Sequence, residues 1–381
     1  MRSAIILQEM ALVKPDEASF AKIKVFGIGG GGGNAINTMI DNSQIKGVEF
    51  IAVNTDTQAL LFNKAQNKIQ LGENLTRGLG SGGDPQIGAQ AAQESKEKIS
   101  EYLTDADLIF LAGGEGGGTF TGGAPVIAKL AKEAGALTIA VTTKPFTFEG
   151  TRRMVAAEEG VEELKKVVDA LIVVPNQRIM EVVDKKMTLL EAFKIVDGVL
   201  SQGVQGISEI ITVPGLINRD FADVKAIMKD AGSALLGIGT GVGENRTQIA
   251  AKTAISSPLL DVSIEGAKGI LFNITGGPDL TMAEVDEAAR FVAAAADADT
   301  NIIFGAAINE NMIDQVRITV IATRFNEARL RLGRMMPLKA TQPQGIVSEI
   351  PKETPTDSAP EEAPAEEYAE FDIPAFLRQG K

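Results

Sequence analysis

Residues 113–123 read Gly113-Gly114-Glu115-Gly116-Gly117-Gly118-Thr119-Phe120-Thr121-Gly122-Gly123. The run lies between an apolar, strand-like segment, LIFLA (108–112), and a helix-like one, APVIAKLAKEAG (124–135). A glycine loop that leaves a buried strand and opens a helix gathers backbone N–H groups and the positive end of the helix dipole at one point, which makes an anion site. The missing Cβ atoms let the backbone come close to phosphate.

Outward from this run the same pattern recurs. IKVFGI (23–28) is followed at once by the glycines of 29–33 and by Asn34. VEFIAV (48–53) is a second buried strand, ending in Asn54-Thr55-Asp56, and LTIAVT (137–142) and LIVV (171–174) come later. Strands alternating with helices predict a parallel, doubly wound α/β sheet of Rossmann-like type. The first loop alone also satisfies G-x-G-x-x-G, with Asp56 placed to hold a ribose, so a nicotinamide-dependent oxidoreductase competes at this point. A dinucleotide needs one such loop. Two cradles at neighbouring strand ends, with a third glycine loop at 78–83, suit the longer anion chain of a triphosphate. Neither the P-loop pattern G-x-x-x-x-G-K-[ST] nor an N-K-x-D run occurs.

The chain has 381 residues, 44% of them apolar, enough for two domains with a real core. It contains no cysteine and no histidine. Thiolate chemistry, disulfides and imidazole catalysis are therefore excluded, which leaves carboxylates, backbone dipoles, Lys, Arg and a bound Mg²⁺. The net charge is −13, of which residues 349–372 carry −8, so the body argues against nucleic-acid binding. No apolar run reaches the roughly 20 residues of a membrane span. The N-terminal apolar stretch is interrupted by Gln8 and Glu9, unlike a signal peptide, and the expected location is cytoplasmic.

The expected organisation is an N-terminal extension (1–21), a nucleotide-binding domain (22–186), a long central helix (187–213) and a smaller α+β C-terminal domain (214–326). A Pro/Glu/Thr-rich disordered linker (327–369) and an apolar C-terminal docking peptide (370–381) follow. In the C-terminal domain, strands are expected at 269–274, 301–305 and 316–322 and a helix at 282–296. Gly198, Gly203 and Gly206 inside the central helix cost propensity, which close packing would have to offset.

Longer matches point to a family. The segments GGGGGNA (29–35), VEFIAVNTD (48–56), GLGSGGDP (78–85), GGGTFTG (116–122) and TKPFTFEG with Arg152-Arg153 (143–153) occur in that order. QGVQGISEIITVPGLINRDFADVK (202–225), AISSPLL (254–260) and DIPAFLR (372–378) complete the set. Together they resemble FtsZ, the family of tubulin-like GTPases that build the bacterial division ring, over about residues 22–325 and the tail peptide. The resemblance implies a tubulin/FtsZ-type fold that binds GTP or GDP with Mg²⁺. It assigns Gly30, Gly31, Gly32, Asn34, Gly117, Gly118, Thr119 and Thr121 to the phosphates. Glu149 and Arg153 would contact the sugar, Asn176 the base, and Phe193 would pack on the base. Hydrolysis would fall to Asp220 and Asp223, helped by Asn218, in a loop that enters the pocket of the next subunit. Phosphoryl transfer asks for water placement and charge compensation, which carboxylates supply, and i, i+3 spacing puts both on one face of a helix. Head-to-tail contact of this kind gives open filaments. The peptide Asp372–Arg378 would dock on membrane-tethering division proteins such as FtsA at a mid-cell ring.

Three departures from the family pattern bear on activity. Its signature GGGTGTG has Gly where this chain has Phe120. A positive φ there would strain Phe by about 1–2 kcal/mol. An inward ring would block phosphate, whereas a place in the helix's first turn would let it pack outward. Glu115 adjoins the cradle, where a carboxylate repels phosphate. Gly198 stands where an acid or amide usually meets guanine, with Asp197 one residue earlier and so turned by about 100°; Gln177 stands where Asp is usual. The alternative to an assembling GTPase is thus an FtsZ-like filament protein with weak or absent hydrolysis.

Overall fold

A computed structural model describes residues 21–42, 45, 47–182, 187–212, 220–257, 264, 266–297 and 299–325. The expectations for residues 1–20, Asn218, the linker and the docking peptide fall outside these. Strands β1 (Ile23–Ile28), β2 (Val48–Asn54), β3 (Asn67–Gln70), β4 (Leu108–Gly114), β5 (Leu137–Lys144), β6 (Ala170–Pro175), β7 (Gly232–Val242), β8 (Gly269–Gly276), β9 (Asn301–Ile308) and β10 (Gln315–Thr323) form one sheet. Its order is β3-β2-β1-β4-β5-β6-β7-β10-β8-β9. The strands from β3 to β6 pair in parallel. The chain therefore winds outward in both directions from β1 and β4, and the gap between their ends is the switch point where such sheets bind ligands.

The helices are α1 (Gly29–Asn42), α2 (Thr57–Leu61), α3 (Glu73–Thr76), α4 (Pro85–Glu94), α5 (Lys96–Leu103), α6 (Thr119–Glu133), α7 (Thr151–Lys165), α8 (Asn176–Val182), α9 (Leu189–Thr212), α10 (Phe221–Met228), α11 (Arg246–Ile255) and α12 (Met282–Ala294). Alternate residues of each central strand serve opposite faces of the sheet. Phe110, Ile139 and Ile172 pack with Ile36 of α1 and Val204 of α9, while Ile109, Leu111 and Leu171 pack with Ile127 of α6 and Leu164 of α7. None of the described helices is long and apolar enough to cross a membrane.

The central helix spans Leu189–Thr212, and two of its glycines are packing positions. A Cβ on Gly203 would stand 3.0 Å from Val141 Cγ1, and one on Gly206 would stand 2.7 Å from Thr319 Cγ2. Gly198 has no such neighbour. Arg317 of β10 pairs with Glu209 of α9 at 3.0 Å.

Strand β7 is not among the expected strands, and it joins the strands of the two expected domains. It pairs in parallel with β6 through Gly232–Ala234 and antiparallel with β10 beyond that, so both halves share one sheet. Its glycines hide it from propensity reading. Their reason is α11, which lies directly on the strand: a Cβ on Gly239 or Gly241 would run into the carbonyl oxygen of Ala250 or Arg246. Strand β3, the short polar NKIQ, also escaped the pattern.

Candidate functional site

A cleft of about 300 Å³ opens at the switch point. Gly30, Gly31 and Asn34 from the start of α1 line one side, and Gly117, Gly118 and Thr119 from the start of α6 line the other. Glu149, Arg153 and Asn176 form the far wall, and Phe193 and Asp197 face it from α9. Nothing lies within 4 Å of where a Cβ on Gly30 or Gly117 would stand, so a side chain there would enter open space. The N-terminus of α6 has no side-chain cap. Its first N–H groups, with those of α1, are therefore donors awaiting an anion.

Two residues expected against phosphate do not line the cleft. Gly32 lies beneath it, and a Cβ there would run into the Ala112 carbonyl oxygen, so this glycine seats α1 on β4. Thr121 is buried and its hydroxyl accepts the Gly116 N–H at 2.9 Å, holding the loop in which Gly116 takes φ +87. The third glycine loop also acts from behind. Ser81 Oγ lies 3.1 Å from Thr119 Oγ1, which in turn lies 2.8 Å from Thr55 Oγ1.

Phe120 sits in the first turn of α6 and is not among the residues with positive φ. Its ring is buried, 2% exposed, in the core between the sheet and α6. It lies against Gly113, where a Cβ would overlap it. The ring neither strains the backbone nor blocks the cradle, because Gly113 makes room for it in the core.

Glu115 is 2% exposed, and neither carboxyl oxygen has a hydrogen-bond partner. Burial pushes its pKa up to about 8, with the nearby Thr121 hydroxyl and the Lys144 charge only partly offsetting it. At neutral pH it is a neutral acid, which removes the expected repulsion of phosphate.

At the opposite end, the Phe193 ring meets Phe146 edge-on at 5.6 Å and 88°, and Phe146 stacks on Phe148 at 5.0 Å. Phe193 remains 38% exposed, so one face is open to a planar partner rather than closed in core. Asn176 is buried with its Oδ1 unpartnered. Burial raises Asp197 to about 6. Gln177 instead accepts from the Thr147 hydroxyl at 3.0 Å. Glu149 accepts the Phe146 N–H at 2.8 Å and pairs with Arg153 at 2.8 Å.

Asp220 stands at the N-cap position of α10 without a side-chain capping bond and is exposed; Asp223 lies in its first turn, half-buried. Neither lines the cleft of its own chain. Thr143, Pro145, Val196 and Leu200 also line the cleft and are not among the expected site residues. The last two were findable, since with Phe193 and Asp197 they follow the i, i+3, i+4, i+7 spacing of one helix face.

A 3-2-1-4-5-6 parallel sheet with two helix N-termini converging on one cleft defines a Rossmann-like nucleotide-binding protein. Profiles of the Tubulin/FtsZ family GTPase domain and of the FtsZ family C-terminal domain match residues 22–184 and 232–326. A dimeric FtsZ from M. jannaschii, described as empty, is 47% identical over 81% of this chain and 89% of its own, with a TM-score of 0.77. CetZ2 from Haloferax volcanii, described as a GTPγS-bound protofilament, is 21% identical over 82% of this chain and 98% of its own, with a TM-score of 0.67, and shares the fold. The chain belongs to the FtsZ family of tubulin-like GTPases.

Proposed function

We propose that this chain is a self-assembling GTPase whose active site is completed by a second copy. One observation carries the reading. Among the described residues, the acid that lines the glycine end of the cleft is the buried Glu115, whereas Asp220 and Asp223 do not line the cleft of their own chain. The water-positioning carboxylates must then come from a neighbour, and head-to-tail stacking delivers them. The dimeric state of the M. jannaschii FtsZ supports self-association.

In this reading Gly30, Gly31, Gly117, Gly118 and Thr119 present N–H groups to the phosphates, with Asn34 beside them. Gly32 and Thr121 set the shape of that surface, and Glu149 and Arg153 flank the sugar. Phe193 stacks on the base, while Asn176 Oδ1 and ionised Asp197 accept from the N1–H and amino group of guanine. Adenine presents an acceptor at N1 and fits this pair poorly. Among the described residues no cluster of three or more acids could cage a metal. A Mg²⁺ here would ride on phosphate oxygens and water, its common mode with nucleotides. Asp220 and Asp223 place and polarise the water, with Asn218 beside them. The filaments would form a cytoplasmic division ring at mid-cell, with Asp372–Arg378 docking on membrane-tethering proteins such as FtsA. The weak-hydrolysis alternative loses its main motive with the Phe120 ring in the core.

The test is phosphate release and light scattering with GTP across protein concentration. Release per chain should rise steeply above a threshold. Asp220→Asn and Asp223→Asn should still bind GTP but release phosphate about 100-fold more slowly or less. Release per chain that is independent of concentration would refute hydrolysis between copies.

A further inference from the structure

Glu115 follows Gly114, the last residue of β4, and leads into Gly116-Gly117-Gly118. Its N–H donates to the Thr143 carbonyl at 2.9 Å, and both residues line the cleft. The carboxyl sits between α6 and α7, close enough to Gly160 that a Cβ there would run into Oε2. That same Cβ would stand 2.5 Å from Thr121 Cγ2, so the carboxyl and Thr121 share one small space. Thr121 is also the residue that holds the Gly116 N–H. The acid thus lies directly behind the glycine loop, against the side chain that fixes the loop's shape.

The groups facing it leave it unpaired. Lys144, at the end of β5, gives its Nζ to Glu158 of α7 at 2.7 and 2.8 Å. Arg153 of α7, whose backbone lies on Gly116, is committed to Glu149. From α6 the contact is Thr121, which is uncharged. A buried polar group without a partner is costly and calls for a reason.

We propose that Glu115 is a proton-operated control on nucleotide occupancy: neutral, it sits silently behind the cradle, and ionised, it sets a negative charge under the phosphate chain. This rests on reading the cleft as the nucleotide site. With the carboxyl titrating at about 8, the change falls just above neutrality. Linkage then works in both directions. Affinity for an anionic phosphate chain falls as pH rises through that range, and binding on the alkaline side takes up a proton.

The experiment uses the full chain below its assembly threshold, with GDP as a probe that is not turned over. Dissociation constants are measured from pH 6.5 to 8.8 for the wild type, Glu115→Gln and Glu115→Met. Taking ratios between proteins cancels the titration of GDP itself. The wild type should bind about as tightly as Glu115→Gln at pH 6.5 and up to about sevenfold more weakly at pH 8.8. Calorimetry at pH 8 in two buffers should show proton uptake by the wild type alone. Glu115→Met should follow Glu115→Gln, and it serves if the Gln protein does not fold. A ratio constant with pH overturns the proposal, because a purely structural acid would move the melting temperature of the nucleotide-free protein and leave GDP binding alone. Absence of GDP binding at any pH in the wild type would overturn the nucleotide reading as well.

Discussion

Replacing Phe120 by Gly restores the residue that the FtsZ signature carries, and it should damage the fold while leaving the cleft as it was. The ring is 2% exposed in the core. Removing a buried Phe side chain costs about 3–5 kcal/mol, and Gly in a helix adds up to about 1 kcal/mol. The total, about 3–6 kcal/mol, is a large part of the stability of an ordinary domain. Because Gly113 is the floor under the ring, the reciprocal change tests the same contact. Gly113→Ala alone pushes a Cβ into the ring and should cost about 1–3 kcal/mol. In the double variant the ring is gone and the Cβ has space, so the two penalties should fall short of their sum by about 1–3 kcal/mol. Urea unfolding of the four proteins gives the coupling, and GDP titration should give affinities within about twofold of one another wherever the proteins are folded. Additive penalties would mean that the ring does not rest on Gly113. A rise in GTP turnover with stability unchanged would put the ring back in the cradle and refute the argument outright.

Two further outcomes follow from the site. Asp197→Asn should weaken GDP binding about 10- to 100-fold by losing a charged acceptor and shift preference toward xanthosine diphosphate, whose base offers a carbonyl at C2; an unchanged preference in competitive binding removes Asp197 from base recognition. The folded state keeps a proton on Glu115 that the unfolded chain releases above its ordinary 4.5. Stability therefore falls as pH rises from 4.5 and levels off above about 8, with a slope on the order of 1.4 kcal/mol per pH unit. Glu115→Gln should remove that part of the slope, so that its melting temperature exceeds the wild type's at pH 8 but not at pH 4.5, and parallel melting curves across this range would contradict it.

Most of the parallel half of the sheet was legible because β1, β2, β4, β5 and β6 are apolar runs bounded by loops, whereas the polar β3 is not. Strand β7 was not, because its glycines answer to α11 lying on them, a contact made by residues far along the chain. Phe120 shows the same limit. Its spacing from Gly113 is visible in the sequence, but whether the ring enters the cradle or the core depends on where α6 meets β4. For Gly32 and Thr121 the sequence could not tell a wall of the cleft from its support, because that depends on what packs against each residue. Asp197 could be read more directly, since it lies one helical turn beyond Phe193. The separation of Asp220 and Asp223 from their own cleft is a property of the folded chain that no local pattern contains.

Helix α9 has 24 residues and so is about 36 Å long. It meets the base end of the cleft through Phe193 and Asp197 and the antiparallel strands through Glu209 and Arg317. Its apolar face belongs to a single cluster that runs from Val25 on β1 to Leu271 on β8 and Ile321 on β10. The antiparallel strands also hold a core of their own around Phe272 and Ile318. Melting either half would nonetheless strip the shared helix of part of its burial, so heating should find two overlapping, coupled transitions where two profile matches would suggest two independent ones.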